Sequence, residues 1–287
     1  MSEAPIRGRS LWDDAARRLR RNRAAMTGVA VLAVLIVLAV IGPSLAPYPY
    51  DQINKDDVWA PPLTHAHLLG ADSLGRDLLA RLLIGLRVSL AIGVVATAVA
   101  LVIGVAWGAT AGYLGGRVDE LMMRLVDVLY SLPFLFFVIL LMVTFGRSLV
   151  LMFVAIGAVE WLTMSRIVRG QTLALKQKEF IEAARAAGLS KTAIVARHII
   201  PNLLGPVAVY VTLTIPAVIL AESFLSFLGM GVQQPLTSLG VLISNGAQDR
   251  DLAPWLLIFP SIVMVAALMS FNFIGDGLRD AIDPKDR

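Results

Sequence analysis

The residues that could do chemistry are few, and most chemistries they suggest fail on spacing. His65 and His67 stand one residue apart, a pattern that can offer two imidazoles to a metal, but no third ligand follows at useful spacing and His198 is remote. The chain has no cysteine, which removes disulfides, thiolate catalysis and thiolate-ligated metal together. It also has no Gly-Lys dipeptide, so the loop that cradles ATP phosphates in P-loop proteins is missing. No nucleophile is placed beside a base, which argues against an enzyme acting within the membrane. Two carboxylates stand out, Glu160 and Glu222, because they interrupt apolar stretches where an ionisable group is costly unless it faces water or a partner. Glu222 could attract an amino terminus, with Phe224 and Phe227 as an apolar wall; a hydrogen bond to a neighbouring helix is the plainer account of both carboxylates. Asp127, three residues after Arg124, reads as an ion-paired interfacial group.

The elements that must position these groups are apolar. Of 287 residues, 57% are hydrophobic and 16% charged, and the mean hydropathy is +0.75, values that call for lipid as solvent. A span needs about 20 apolar residues to cross a hydrocarbon core roughly 30 Å thick. Six stretches qualify, at 24–46, 88–111, 121–145, 149–166, 203–228 and 254–274, with Pro133, Pro206, Pro216 and Pro260 inside them. Helix bundles tolerate such prolines when neighbours satisfy the freed groups.

Lys and Arg are distributed unequally between the two faces of this arrangement. Seven arginines (Arg7, Arg9, Arg17, Arg18, Arg20, Arg21, Arg23) precede the first span, and seven basic residues lie from Arg166 to Arg197. With Arg117, Arg124, Arg279, Lys285 and Arg287 the same face holds nineteen, against six on the other. That face is expected in the cytoplasm, with both termini on it. The net charge of +4 is therefore a topology signal. A nucleic-acid role for the basic arm lacks stacking or base-reading residues beyond Trp12. Leu11, Trp12, Ala15, Ala16 and Leu19 fall at helical spacing and predict an amphipathic helix on anionic lipid. The first span is read as retained, since it is long for a signal-peptide core and Pro47 follows the only cleavage-like site.

The outer segment, 47–87, is expected to end in an interfacial amphipathic helix from Asp72, with Leu74, Leu78, Leu79, Leu82, Leu83 and Leu86 on one half of its wheel. Arg76, Asp77, Arg81 and Arg87 fall on the other half, with Asp77 and Arg81 able to pair. The inner loop at 112–119 is glycine-rich and suits a tight reversal. The longest inner loop, 167–202, is the most informative. Residues 177–187 are strong helix formers, Gly188 supplies a left-handed exit, and Ser190 can cap a second helix running to Pro201. Ala183 and Ala184 would let a partner approach closely. Glu182 and Arg185 offer polar contacts, Phe180 and Ile181 apolar ones.

In that loop the chain resembles the binding-protein-dependent permeases of ABC importers, whose hallmark is Glu-Ala-Ala, three residues, Gly, nine residues, Ile, one residue, Leu-Pro. Glu182, Ala183, Ala184, Gly188 and Pro201 match, while His198 and Ile200 replace the Ile and Leu. The stretch Arg197 to Asn202 is similar to the peptide and nickel branch, as are His67 to Asp77, Ala221 to Gly231 with Ser238 to Gly240, and Gly275 to Pro284. The arm and the short outer segment resemble C-type subunits of dipeptide, oligopeptide or nickel importers.

The resemblance implies an all-α, six-span protein of MetI-like fold in the bacterial cytoplasmic membrane. Its parts would be a basic arm (1–23), a first span (24–46), an outer segment (47–87), a five-helix core (88–274) with the coupling loop, and a tail (275–287). It implies a non-catalytic subunit with no cofactor of its own, ATP and Mg being bound by partners. Those are two ATPases or one fused ATPase, a B-type permease and an extracytoplasmic binding protein. Phe180, Glu182, Ala183, Ala184, Arg185, Gly188 and Pro201 would engage an ATPase. Glu222, Phe224, Phe227 and Glu160 would line the path, and Asp72, Arg76 and Asp77 would lie in the outer interfacial segment. The solute would be a di- or oligopeptide, or alternatively nickel or another small solute. An ATP-independent channel or secondary transporter would show repeated halves, and none is evident.

Overall fold

A computed structural model describes residues 11–146 and 148–282, and among them the regular elements are helices. In chain order these are α1 (Leu11–Arg21), α2 (Arg23–Leu45), α3 (Leu78–Leu114), α4 (Gly116–Ser131), α5 (Phe134–Phe145), α6 (Leu149–Leu175), α7 (Glu179–Ala186), α8 (Lys191–Phe227), α9 (Leu239–Gln248) and α10 (Trp255–Ile282). Five are long and apolar enough to span (α2, α3, α6, α8, α10), and α4 with α5 makes a sixth if the bent pair is one span. Arg7, Arg9, Arg147, Lys285 and Arg287, which contribute to the charge asymmetry, lie outside the described residues.

The bundle is centred on α3, which packs most extensively on α6 and also on α8 and α2, while α10 packs on α2, α8 and α9. Along α3, Gly104, Gly108 and Gly112 recur every four residues and face α6. A Cβ on Gly104 would stand 2.6 Å from Met164 Cβ, one on Gly112 2.8 Å from Thr172 Cβ, and one on Gly108 would collide with the Ser165 carbonyl. Lipid tails are as apolar as the side chains, so helices in a bilayer associate through such close backbone approach. Arg169 of α6 reinforces the seam near its end with two bonds to Asp119 of α4, 2.5 and 2.7 Å.

Two expectations need correction. The outer segment does not form a surface helix from Asp72. Residues 72–77 are a turn, and the helix starts at Leu78, continuous with the second span for 37 residues. Arg76, Asp77 and Arg81 face inward, 5%, 1% and 1% exposed. The Asp77–Arg81 pair is absent because Asp77 is spent on capping, accepting from Ala80 N at 2.8 Å, and on His67 Nδ1 at 2.8 Å. Arg81 turns to Asp72 instead, with Arg76 sharing that carboxylate. Of the four charges placed on one side of the wheel, Arg76 and Asp77 lie before the helix, Arg81 is buried, and Arg87 is exposed and bonds the Ala39 and Val40 carbonyls of α2. Second, the stretch 121–145 is not one straight helix. Pro133, which has no N–H to continue the ladder, separates α4 from α5, and their axes diverge by 82°.

Adding one methyl at the α3–α6 seam should have the opposite effect to adding one on an open face. Gly108→Ala should lower the thermal midpoint of the detergent-solubilised protein by several degrees, an overpacking cost of about 1–3 kcal/mol. Gly170→Ala on α6, where no atom lies within 4 Å of the new methyl, should be neutral or slightly stabilising. Equal midpoints for the two variants would reject the seam.

Candidate functional site

The inner loop folds as a helical hairpin braced against the bundle. α6 ends at Leu175, a short extended break follows at Lys178, and α7 turns back for eight residues. Gly188 ends it at φ +79°, where its N–H bonds to Arg185 O (2.9 Å) and Leu189 N–H to Ala184 O (3.2 Å), the paired closure that a left-handed residue permits. Ser190 then caps α8 by accepting from Ala193 N at 3.2 Å. Both features agree with the spacing.

The two faces of α7 differ in a way the spacing did not reveal. Ile181 and Ala184 are buried in a cluster with Tyr113 of α3, Val168 of α6, and Ile194, Ile199 and Leu203 of α8. Phe180, 40% exposed, faces solvent with Glu182, Ala183, Arg185 and Gly188. Of the two alanines only Ala183 is presented outward, and Ile181 is a core residue. Arg185 and Lys176 both lie over the Tyr113 ring, at 5.5 and 5.8 Å.

The helix after Ser190 does not stop at Pro201. It runs on as α8 to Phe227 by inserting one π turn at Val195–Ile199, in which Ile200 N–H reaches back to Val195 O. Pro201 has no N–H to give, and the wider turn lets the helix pass it; Asn202 Nδ2 takes up the His198 carbonyl at 2.6 Å. The second helix of the hairpin is thus continuous with the span that follows it, while residues 176–178 separate α7 from α6.

Glu222 is fully enclosed, and its environment explains much of the 221–240 stretch. Its carboxylate accepts from Ser226 (2.7 Å), Ser238 (2.6 Å) and, more weakly, Ser89 (3.4 Å). Ser238 also caps α9, and Ser89 accepts from Leu239 N at 3.0 Å. One carboxylate therefore ties α3, α8 and α9 together. Gly240 allows the approach, since a Cβ there would stand 2.5 Å from Ser223 Cα. Phe224 and Phe227 are half exposed on the other side of α8. Glu222 does not share a surface with them, so the expected pairing of carboxylate and aromatic wall is not formed within this chain.

Glu160 is placed differently. It is half-buried on α6 and lines a cavity of about 540 Å³ at the α4–α5 break with Tyr130, Leu132, Pro133, Phe137 and Thr163. Asp127 is ion-paired, as expected, but with Arg166 at 2.8 Å. On the outer side, His67 bridges Asp77 and Asp57 (2.8 and 3.3 Å), and His65 bonds Asp57 at 2.6 Å, a contact that holds the Asp57 carboxyl below its ordinary range. The two histidines meet aspartates, and no group of three or more His, Cys, Asp or Glu suited to a metal is found among the described residues. The serines around Glu222 and the Gly104-Gly108-Gly112 stripe were missed in the sequence. The stripe's four-residue period was the available signal, whereas nothing marked Ser89 as a partner of residues some 130 to 150 positions later.

Removing the Glu222 carboxylate should leave three buried hydroxyls without an acceptor, at about 1–3 kcal/mol each. Glu222→Ala should sharply reduce folded yield in membranes, while Glu222→Gln, which keeps one acceptor, should retain most of it. Fluorescence-detected size exclusion would measure both, and a well-folded Glu222→Ala protein would show that the tie is dispensable.

Comparison with known proteins agrees with this architecture. Residues 104–287 match the family described as binding-protein-dependent transport system inner membrane component, and residues 10–62 match the N-terminal transmembrane domain of oligopeptide transport permease C. The oligopeptide transport system permease protein OppC of Escherichia coli K12 is 54% identical over 98% of this chain and 94% of its own length. OppC of Haemophilus influenzae is 50% identical over 100% and 93%. The dipeptide permease DppC of Bacillus subtilis is 44% identical over 97% and 87%. A solved chain of the MetNI methionine ABC transporter in inward-facing form shares the fold at a TM-score of 0.56, with 20% identity, covering 70% of this chain and 96% of that one. With a multi-span helical bundle matched in this way over nearly its whole length, the chain belongs to the binding-protein-dependent inner-membrane permease family of ABC transporters.

Proposed function

We propose that this permease carries di- or oligopeptides across the inner membrane as one half of a two-permease pathway, and that α7 is the handle through which ATP hydrolysis on a partner drives it. The observation that carries the reading is the two-sided character of α7. Its inner face, Ile181 and Ala184, is locked into the ends of α3, α6 and α8, while Phe180, Glu182 and Ala183 are exposed on its outer face, with Arg185 exposed beside them over the Tyr113 ring. A push on such a helix is transmitted to α6 and α8 as a rigid-body motion, because Ile181 and Ala184 are packed against both of them.

The names of the relatives support peptides as the solute. The partners in this reading are a B-type permease, two ATPases or one fused ATPase that bind ATP and Mg, and an extracytoplasmic binding protein that delivers the solute. This chain has no Gly-Lys dipeptide of its own, so the nucleotide sites are assigned to the partners and no cofactor to this subunit. Arg76, Asp77 and Asp72 belong in this reading to a folded outer cap on α3, which leaves the outer segment able to meet a binding protein without a separate surface helix.

The reading separates two neighbouring alanines. In vesicles holding the complete complex, Ala183→Trp and Glu182→Arg should leave ATP hydrolysis largely intact and cut tri-alanine uptake at least ten-fold. Ala184→Trp, which points into the packed cluster, should instead lower the amount of folded protein. Uptake of tri-alanine by the unmodified permeases without ATP or ATPase, or full coupling in both surface variants, would overturn the assignment.

A further inference from the structure

Two carboxylates interrupt the apolar stretches, and the structure treats them oppositely. Glu222 has three serine hydroxyls and no exposure. Glu160 has no hydrogen-bond or ion-pair partner among the described residues, although it lies eleven residues into α6, roughly 16 Å along the helix from its start. A carboxylate at such a position is retained where it faces water or a functional partner. The cations nearest in sequence on α6 are engaged by other carboxylates. Arg166 is held by Asp127 at 2.8 Å and lies 4.3 Å above the Tyr130 ring, and Arg169 is clamped to Asp119.

The cavity beside Glu160 has the character of a cation site. Its volume of about 540 Å³ falls within the roughly 300–1,000 Å³ typical of small-molecule pockets. It sits where α4 ends at Ser131, so the negative end of a sixteen-residue helix dipole points at the cavity wall; the Val128 and Leu129 carbonyls are taken up by Ser131 Oγ and Leu132 N–H, which leaves those of Tyr130 and Ser131 in the last turn. Ser131 and Thr163 add hydroxyls, and Tyr130, Pro133 and Phe137 supply apolar wall. A metal ion would need several oxygen ligands at once, and Glu160 is the single carboxylate lining this cavity. An organic ammonium needs only one carboxylate and a few acceptors.

We infer that the cavity at the α4–α5 break receives the ammonium group of the transported solute, with the Glu160 carboxylate as the group that pairs with it. This inference rests on the peptide-permease reading and names the residue that would recognise a free amino terminus. It also moves that role from Glu222, which the serines engage, to Glu160, which has no partner among the described residues.

The test uses the complete complex in vesicles, with tri-alanine amide as probe and a water-soluble carbodiimide. The reagent activates a carboxylate, the bound amine displaces it as the urea, and an amide bond remains, so only a carboxylate in contact with the amine is trapped efficiently. The expected result is an adduct on Glu160, reduced at least ten-fold by excess tri-alanine and unaffected by N-acetyl-tri-alanine, whose amine is blocked. Glu160→Gln should lower tri-alanine uptake at least ten-fold and Glu160→Asp should restore part of it. Absence of the Glu160 adduct while the exposed Asp251 reacts, or equal suppression by the acetylated competitor, would overturn the inference. If the wild-type complex takes up tri-alanine and Glu160→Gln equals it, the ammonium site fails alone. If the wild-type complex takes up no peptide, the peptide reading fails and the site with it.

Discussion

Backbone contact between α3 and α6 is the constraint on which the rest of the molecule depends. In lipid there is no hydrophobic gain from bringing two apolar helices together, so the pair must be held by surfaces that fit more closely than lipid fits either one. Gly104, Gly108 and Gly112 provide that surface, and the Asp119–Arg169 pair fixes its register at one end. Once α6 is fixed, so is the point from which α7 departs. Ile181 and Ala184 then dock onto the ends of α3, α6 and α8. The outward residues of the hairpin inherit their position from glycines more than sixty residues earlier.

Polar groups supply the second layer of specification. A buried carboxylate is tolerable in this bundle when several donors converge on it, as at Glu222, and the buried Arg81 guanidinium is instead balanced by the Asp72 charge. Glu222 gathers serines from α3, α8 and the start of α9, which fixes the return of the chain between α8 and α10. Asp72, Asp77, His67, Arg76 and Arg81 form a compact ionic cap over the start of α3. Glu160 departs from this pattern: it lines a cavity and has no hydrogen-bond or ion-pair partner among the described residues.

Much of this was legible in the chain because the relevant signals are local. Apolar runs located the spans, a glycine after a run of helix formers located the turn at 188, and a serine before the next run located the cap at 190. What escaped detection depended on partners distant in sequence. The helical periodicity read over 74–87 holds only from Leu78 onward, and it could not show that residues 72–77 form a turn or that Arg81 is buried. The alternation within Ile181 to Arg185 could not say which alanine faces the bundle, since both are small and apolar. Pro201 read as an end because the usual ladder cannot include it; a π turn two residues earlier circumvents that, and no residue pattern announced it.

The resulting picture is a bundle with a two-faced hairpin at one end, a folded ionic cap at the other, and a carboxylate with no partner among the described residues at a helix break. Its central claim is that the outward face of α7 lies against an ATPase in the working complex. The chain has no native cysteine, so Ala183→Cys gives a single reactive thiol. Maleimide labelling of that thiol should be rapid in the isolated permease, fall at least ten-fold in the assembled transporter, and recover when the ATPases are stripped away. Labelling at the same rate in the isolated and assembled states would contradict the account.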